Sequence, residues 1–366
     1  MAKINSWRKE SAPLFWTGIK PGRHILVLRC DHLGDAILTT PLLRALAQAG
    51  HRVDFVLPQA FVPLFRGNPH LHRCLGVESI VDDWRRQWRG LAGWIRRQRY
   101  DVLILPYAKP LPLQLASLFS GVRHRLAMWA GWQGRLTLHR CLRSRLFEEP
   151  RPFADILLDC ARALDIPPDG LLPEIFFDRP GIVPARLAGR SRIGLHPGSG
   201  GNACNLTPSG YAGLAALILR ETDWEIVLTG SAGEGRLVEG WDPAILSSPR
   251  LRNTLGGLSL PALAEEIEAM DLFVSTGTGP FHMASALGTP TLTPFCVRTP
   301  ISQRVWGNLR LNGHYLETRP EQCCGVPFGQ CCNFSGKISP EALFSFARQV
   351  LESPGRSGTG PSSTRG

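Results

Sequence analysis

The sequence predicts an α/β protein built from two doubly wound domains, and three observations support that prediction. At 366 residues, the chain is long enough for two domains of about 150 residues each. Short apolar runs alternate with helical patterns in both halves, as in parallel sheets that carry helices on both faces. A stretch with two prolines, two glycines and no clear period, 178–192, separates the halves and is typical of a linker.

The elements of the first half follow from the spacing of apolar residues. The run 25–28 predicts a buried strand, and it ends in a loop, 29–35, directly before a helical pattern. The elements expected after that loop are a helix over 36–50, a strand over 53–57, a helix over 84–99 and a strand over 101–105.

The second half repeats this plan. Its expected elements are a strand over 193–196, a glycine-rich loop, a helix over 209–220, a strand over 225–228, a helix over 260–270 and a strand over 271–275. We therefore predict an N-terminal domain over 1–180, a C-terminal domain over 190–350 and a disordered tail over 353–366. The ligand cleft is expected where the carboxyl ends of the two sheets face each other.

The charge balance indicates an anionic partner. Lysine and arginine total 41 against 30 aspartates and glutamates, a net charge of +11. Such a field attracts phosphate groups, nucleic acids and anionic membrane surfaces alike. Because the sequence contains no zinc finger, RNP motif or other nucleic-acid signature, we expect no nucleic-acid partner.

The sequence predicts a cytoplasmic protein with reduced thiols. No window holds the roughly 18 apolar residues of a membrane-spanning helix, and the first 24 residues lack the apolar core of a secretory signal. Ten cysteines are then thiols rather than disulfides. Vicinal pairs direct two sulfurs toward one ion poorly, so we expect no metal or cofactor, with a metal site as the alternative for the cluster Cys323, Cys324, Cys331 and Cys332.

The segment 84–99 allows two interpretations. It interleaves Trp84, Trp88 and Trp94 with arginines, and a helix with apolar and cationic faces can bind an anionic membrane surface. The same residues suit an outer helix of the sheet whose tryptophans pack inward. We favour the second interpretation because the segment is short and contains two glycines.

The first strand leads into a loop that ends in Gly34-Asp35, directly before the predicted helix. A carboxylate at a helix start accepts hydrogen bonds from the free N–H groups of the first turn, so capping is one role for Asp35. A catalytic general base is the other role, and these residues alone leave both open.

Two loops of the second half offer contacts for an anion. In His196-Pro197-Gly198-Ser199-Gly200-Gly201 the glycines let the backbone approach a phosphate, although an ordinary glycine-rich turn also explains them. In Thr278-Gly279-Pro280-Phe281-His282 the proline suits the first turn of a helix, and the loop supplies neutral donors. His282 fits either a phosphate contact or a hydrogen-bonded, partly buried position.

In this order and spacing, the motifs resemble glycosyltransferase family 9, whose best-known members are the ADP-heptose:lipopolysaccharide heptosyltransferases. The resemblance runs from about residue 24 to about residue 350 and includes Glu234, downstream of the second loop. It implies the GT-B architecture, in which two Rossmann-like domains face each other across a cleft. The acceptor is then expected on the N-terminal domain and the nucleotide-sugar on the C-terminal domain.

The resemblance also implies an inverting, metal-independent transfer. Asp35 matches the carboxylate that deprotonates the acceptor hydroxyl, in an acceptor loop with Arg29 and Gly34. The implied donor-binding residues are His196, Gly198, Ser199, Gly200, Glu234, Thr278, Gly279, Pro280 and His282. The expected reaction moves a sugar, with ADP-heptose as the favoured donor, onto a lipopolysaccharide core or related surface glycan, at or near the anionic inner face of the inner membrane.

Two positions depart from the family pattern. Asn205-Leu206-Thr207-Pro208 stands where many members have Lys-x-Trp-Pro, and Gly277 stands where many have aspartate. A cation and a carboxylate of the donor site are therefore missing. These losses give the alternative function, a GT-B protein that binds a nucleotide or glycan without turnover.

Overall fold

A computed structural model describes residues 19–129, 134–142, 149–186, 189–201, 203–298, 301–322 and 334–352. The chain divides into two compact units, Met1–Pro180 with Arg304–Leu309, and Gly181–Gln303 with Arg310–Gly366. The clustered cysteines and the predicted disordered tail over 353–366 lie outside the described residues.

The first unit contains a six-stranded parallel sheet in the order β3-β2-β1-β4-β5-β6. Its strands are β1 (His24–Leu28), β2 (Arg52–Leu57), β3 (Arg73–Gly76), β4 (Val102–Leu105), β5 (His124–Met128) and β6 (Arg140–Leu142). Its helices are α1 (Leu33–Leu38), α2 (Thr40–Gln48), α3 (Trp88–Gln98), α4 (Leu111–Phe119), α5 (Gly134–Thr137), α6 (Phe153–Leu157) and α7 (Asp159–Arg162), with short 3-10 helices at Gln59–Leu64 and Val77–Ser79. The central strands β1 and β4 are apolar and almost wholly buried, as expected for a sheet covered on both faces.

The second unit contains a second six-stranded parallel sheet, in the order β12-β11-β10-β7-β8-β9. Its strands are β7 (Arg192–His196), β8 (Glu225–Leu228), β9 (Leu251–Asn253), β10 (Leu272–Ser275), β11 (Thr291–Phe295) and β12 (Gly313–Glu317). The helices are α8 (Pro208–Glu221), α9 (Pro243–Leu246), α10 (Leu260–Glu268), α11 (Gly279–Leu287) and α13 (Pro340–Glu352), with 3-10 helices at Ala232–Leu237 and Pro320–Gln322. The remaining helix, α12 (Gln303–Trp306), belongs to the first unit from Arg304 onward. Counted from its own first strand, this sheet has the same strand order as the first.

Both sheets confirm the predicted α/β class, and each unit has its own apolar core. One core packs β1, β4 and β5 against α3 and α4, and the other packs β7, β8 and β10 against α8 and α13. Within the described ranges, no helix is both long and apolar enough to cross a membrane.

The helix predicted over 36–50 is wrong in two respects. It begins earlier, at Leu33, so Asp35 lies inside the first helical turn rather than in a loop before it. It is also two helices, because Pro41 has no N–H to donate to the Ile37 carbonyl. The Thr40 hydroxyl donates to that carbonyl instead, at 2.8 Å, and the chain starts a new helix after Thr39.

Candidate functional site

In the first unit the candidate residues lie at the carboxyl edge of the sheet, where the strand order reverses. The chain leaves β1 toward β2 on one side and returns as β4 on the other, which opens a crevice beyond the ends of these two strands. The loop after β1 carries Arg29 and Asp31 and leads into α1, and the loop after β4 carries Tyr107. Burial raises the pKa of Tyr107, and the negative charges of Asp31 and Asp35 add to the rise.

Asp35 is the third residue of α1, and its carboxylate pairs with Arg29. The distance from Arg29 Nη2 to Asp35 Oδ1 is 2.7 Å, and 15% of the Asp35 side chain is exposed. The N-cap residue of the helix is His32, which contributes no side-chain cap bond. A carboxylate in the first turn interacts favourably with the helix dipole, but the partner of the Asp35 carboxylate is the Arg29 guanidinium.

Arg29 is buried and joins two carboxylates. Its side chain is 1% exposed, and its Nε donates to Asp31 Oδ1 at 2.7 Å. The guanidinium carbon lies 5.8 Å from the ring centre of Phe153, which stacks on Trp306 at 4.3 Å. Among the described residues, Arg29 Nη1 has no hydrogen-bond partner, so a buried donor beside the Asp35 carboxylate is left for a ligand.

Burial sets the protonation behaviour of Asp35. Removal from water raises its pKa to about 6, and the like charge of Asp31 acts in the same direction, while Arg29 and His32 oppose the rise. The carboxylate is therefore ionised at neutral pH yet close to the pH at which it takes up a proton. That balance suits a general base.

In the second unit, three predicted loops follow three neighbouring strands. β8, β7 and β10 are adjacent and parallel, so the segments after Leu228, His196 and Ser275 emerge at one edge of the sheet. Ser275 stands beside His196 in the register. This edge again lies at the point where the strand order reverses, between β7 and β10.

The structure brings His196, Gly198 and Glu234 together. His196 Nδ1 lies 3.0 Å from Thr229 Oγ1. A Cβ atom at Gly198 would lie 1.9 Å from Glu234 Oε1, so any larger residue here would have to displace the Glu234 carboxylate. Glu234 Oε2 accepts from the Ser231 backbone N–H at 2.7 Å and from its hydroxyl at 2.9 Å, in a capping box that fixes the carboxylate.

The rest of the second loop is a tight turn beyond that contact. Gly200 and Gly201 have φ angles of +55° and +79°, a backbone region that favours glycine. Ser199 Oγ accepts from the Gly201 N–H at 3.3 Å. Gly198 is buried and Gly200 is exposed, so the turn extends from the sheet edge toward solvent.

The third loop ends at the start of α11, with Thr278 as N-cap residue and Pro280 in the first turn, as predicted. The Thr278 side chain makes no cap bond, and the first turn of this nine-residue helix can face an anion. The Thr276 hydroxyl donates to the Cys204 carbonyl, which joins this loop to the segment after the second loop.

Neither histidine of these loops is a cation at neutral pH. Burial lowers the pKa of His196 to about 4 and that of His282 to about 3. His282 is 3% exposed and packs edge-on against Phe281, with ring centres 5.0 Å apart. The His282 side chain is therefore buried, and its contact with a phosphate stays a prediction.

Both departures from the family pattern are built into the packing. Asn205 Nδ2 donates to the Pro197 carbonyl at 2.7 Å, and Asn205 Oδ1 accepts from the Leu206 N–H at 2.9 Å and from the Tyr211 hydroxyl at 3.1 Å. The amide therefore holds the second loop in place. At Gly277, a Cβ atom would lie 3.2 Å from the Phe295 ring, so that ring limits any side chain here.

Several site residues were not singled out from the sequence. Thr229 and Ser231 hold His196 and Glu234, and the Ser275 hydroxyl is buried with no partner among the described residues. Their positions in the sequence could have indicated them, because residues that directly follow adjacent parallel strands meet at one edge of the sheet. Tyr107 follows β4 and could have been indicated in the same way.

A cluster that could hold a metal ion lies at the opposite, amino edge of the first sheet. His24, Asp54 and His72 offer ligand atoms within 4.8 Å of one another. However, Asp54 also accepts from Arg73 Nη2 at 2.6 Å and from the Tyr100 hydroxyl at 2.7 Å. Because the guanidinium already neutralises this carboxylate, the donor set fits an ion-pair network better than a divalent cation.

The comparisons with known proteins agree with this architecture. The model of the family described as glycosyltransferase family 9 (heptosyltransferase) matches residues 177–324. Lipopolysaccharide heptosyltransferase 1 of Pseudomonas aeruginosa is 26% identical over 365 residues, covering 89% of this chain and 92% of its own.

Two solved structures share the fold. A glycosyl transferase family 9 protein from Veillonella parvula superposes with a TM-score of 0.71 at 18% identity, covering 92% of this chain and 99% of its own. E. coli ADP-heptose LPS heptosyltransferase II gives a TM-score of 0.68 at 20% identity, covering 90% and 98%. The match to the family model over residues 177–324 and the similarity to a lipopolysaccharide heptosyltransferase together show that the chain is a heptosyltransferase-like glycosyltransferase.

Proposed function

We propose that this glycosyltransferase transfers a heptose from ADP-heptose, with inversion and without a metal ion, to a lipopolysaccharide core or a related surface glycan. The observation that carries the proposal is the Asp35 carboxylate, paired with buried Arg29 at the carboxyl edge of the first sheet. The names of the relatives support the donor and acceptor, since both the Pseudomonas protein and the E. coli protein are lipopolysaccharide heptosyltransferases.

In the proposed step, Asp35 takes the proton of an acceptor hydroxyl. The hydroxyl oxygen attacks the anomeric carbon, the bond from that carbon to the diphosphate breaks, and the nucleoside diphosphate leaves with the electron pair. The free Nη1 of Arg29 lies next to the base and is suited to hold an oxygen of the acceptor. Arg29 thus orients the acceptor and keeps Asp35 ionised.

On the donor side, neutral groups receive the diphosphate. The backbone of Gly198, Ser199 and Gly200 and the start of α11 at Thr278, Gly279 and Pro280 supply N–H groups and a favourable helix dipole for the charge that develops on the leaving group. Glu234 would meet the nucleoside. His196 and His282 support these loops as neutral side chains, in keeping with their lowered pKa values.

The proposal places the reaction at the inner face of the inner membrane, in the cytoplasm. The net charge of +11 favours an anionic surface. No part of the transfer step depends on that contact.

Binding without turnover is the second candidate function, and Asn205 favours it. Its amide is occupied by loop contacts, so this position supplies no cation to the diphosphate. A transferase must then rely on backbone donors and the helix dipole for leaving-group stabilisation.

The deciding experiment measures nucleoside diphosphate release from ADP-, UDP- and GDP-sugars, with and without a deacylated lipopolysaccharide core. We expect acceptor-dependent release from ADP-heptose. Asp35→Ala should slow the chemical step by roughly 10²–10⁴-fold and leave nucleotide binding intact. Unchanged turnover in that variant would remove Asp35 from the mechanism. Donor binding with no release from any sugar would favour the binding protein.

A further inference from the structure

Helix α4 has an apolar outer face. None of its nine residues is charged, and Leu111 and Phe119, at its two ends, are each 50% exposed. Leu115 lies between them on the same stripe, because positions i, i+4 and i+8 share one side of a helix. The stripe is about 12 Å long at 1.5 Å per residue. An outer helix ordinarily has polar residues on its solvent side, so this face is unusual.

Arginines of the neighbouring helix border the stripe. α3 packs against α4, and Trp88 of α3 contacts Phe119 with ring centres 5.4 Å apart. The Arg89 guanidinium lies over the Trp88 ring at 4.8 Å, and Arg96 Nη2 donates to the Phe119 carbonyl at 2.8 Å. Cationic groups therefore touch the apolar stripe directly at its Phe119 end.

Further cations precede α3. Arg85 stacks on Trp84 at 4.8 Å, and the Arg86 side chain is 90% exposed. Asp83 lies 3.5 Å from Arg86, and with Asp82 it is the acidic group of this segment. The tryptophans themselves face inward, since Trp84 is buried and Trp88 and Trp94 pack against the core, which confirms the interpretation favoured from the sequence.

We propose that the α3–α4 surface, defined as Arg85, Arg86, Arg89, Leu111 and Phe119, docks onto an anionic phospholipid bilayer. A bilayer is the occupant that takes both kinds of group at once. Guanidinium groups pair with lipid phosphates, while leucine and phenylalanine side chains enter the boundary between headgroups and acyl chains. An acidic protein would satisfy the arginines but would leave the apolar stripe without a partner.

The position of this surface relates it to the candidate site of the same unit. α4 begins four residues after Tyr107, which lies in the loop after β4 and whose raised pKa reflects burial first and the Asp31 and Asp35 carboxylates second. An acceptor anchored in the same bilayer would thus approach from the Leu111 end of the stripe. Docking deepens the membrane location that the proposed function includes, but it requires no transfer and is tested without it.

The test is flotation of the full chain with vesicles of phosphatidylcholine alone and of phosphatidylcholine mixed with phosphatidylglycerol. We expect binding to the mixed vesicles only, weakened by salt. The double variant Arg85→Gln, Arg89→Gln should bind about 30-fold more weakly, because each cation near an anionic surface contributes roughly fivefold. The double variant Leu111→Ser, Phe119→Ser should lose on the order of tenfold through its smaller buried apolar area.

Matched controls come from the second unit. Arg220→Gln with Arg348→Gln removes two exposed arginines, and Leu311→Ser removes a fully exposed leucine. These variants should bind vesicles like the wild type. Release of nucleoside diphosphate with a water-soluble acceptor should be unchanged in every variant, which reports correct folding independently of docking.

Three results would overturn the proposal. In the first, the wild type does not bind the mixed vesicles. In the second, the Arg85/Arg89 variant binds as well as the wild type. In the third, the Arg85/Arg89 variant loses binding while the Leu111/Phe119 variant binds like the wild type. The last result would indicate a polyanion or an acidic protein rather than a bilayer. Because the two arginines are exposed, their variant tests the surface even if the apolar variant fails to fold.

Discussion

The ion pair between Arg29 and Asp35 leads to a prediction about the pH dependence of transfer. A general base must be ionised, so kcat/KM should fall on the acid side with an apparent pKa of about 6, the value that burial gives Asp35. Arg29→Gln removes the cation at 2.7 Å from Asp35 Oδ1 and should raise that pKa. Asp31→Asn removes a like charge and should lower it.

The expected size follows from the geometry. A neighbouring arginine lowers a carboxyl pKa by about one to three pH units, so its loss should move the acid limb from about 6 to about 8. At pH 7 the ionised fraction of the base then falls from about 90% to about 10%. The Arg29→Gln variant should therefore lose about tenfold in kcat/KM at pH 7 and recover most of that loss near pH 9.

The assay is the rate of nucleoside diphosphate release at low acceptor concentration, from about pH 5 to about pH 10. Arg29→Lys is the control, because it keeps the positive charge and should leave the acid limb close to its wild-type position. A purely structural role for Arg29 would lower the rate equally at every pH. That parallel loss, or an acid limb that moves the same way in Arg29→Gln and Asp31→Asn, would refute the reasoning.

Two further predictions concern the second unit. Gly198→Ala places a methyl group 1.9 Å from Glu234 Oε1 and should raise the donor KM at least tenfold. Gly233→Ala is the control and should leave the donor KM unchanged, because a Cβ there meets nothing within 4 Å. Equal donor KM values in the two variants would contradict this account. Acid should destabilise the fold, because His196 and His282 have folded-state pKa values of about 4 and about 3 against about 6.5 unfolded, so the unfolded chain binds protons first as the pH falls below 6.5. Each histidine then lowers the free energy of unfolding by about 2 kcal/mol at pH 5. Between pH 7 and pH 5, the His282→Gln variant should therefore lose about 2 kcal/mol less of its unfolding free energy than the wild type, as measured by urea titration.

Much of the fold could be predicted from the sequence because the central strands of both sheets are continuous apolar runs. β1, β4, β7, β8 and β10 all agree with the expected strands to within one residue. The strands toward the edges, such as β3 and β9, mix charged and apolar residues and carry no such signal. The break between α1 and α2 depends on the missing N–H of Pro41, and the spacing of apolar residues gives no indication of it.

The sequence predicted which loops form the candidate site, but it did not predict which side chains contact each other there. The order of motifs indicated Asp35, Gly198 and Glu234, but the roles of these residues stay predictions. No pattern in the sequence indicated that Arg29 would be buried between Asp31 and Asp35, because that depends on Phe153, which is far away in the chain. In the same way, the closeness of Gly198 and Glu234 arises from the pairing of β7 with β8.

The short return of the chain to the first unit at Arg304–Leu309 affects how this enzyme can be recombined with others. A chimera joined near Pro180 exchanges the whole C-terminal portion, and with it Trp306. That ring stacks on Phe153, the ring next to the Arg29 guanidinium. A C-terminal portion taken from another glycosyltransferase would therefore have to carry a matching aromatic residue in this segment. Without it, the first unit would lose the ring that packs on Phe153 beside its buried arginine.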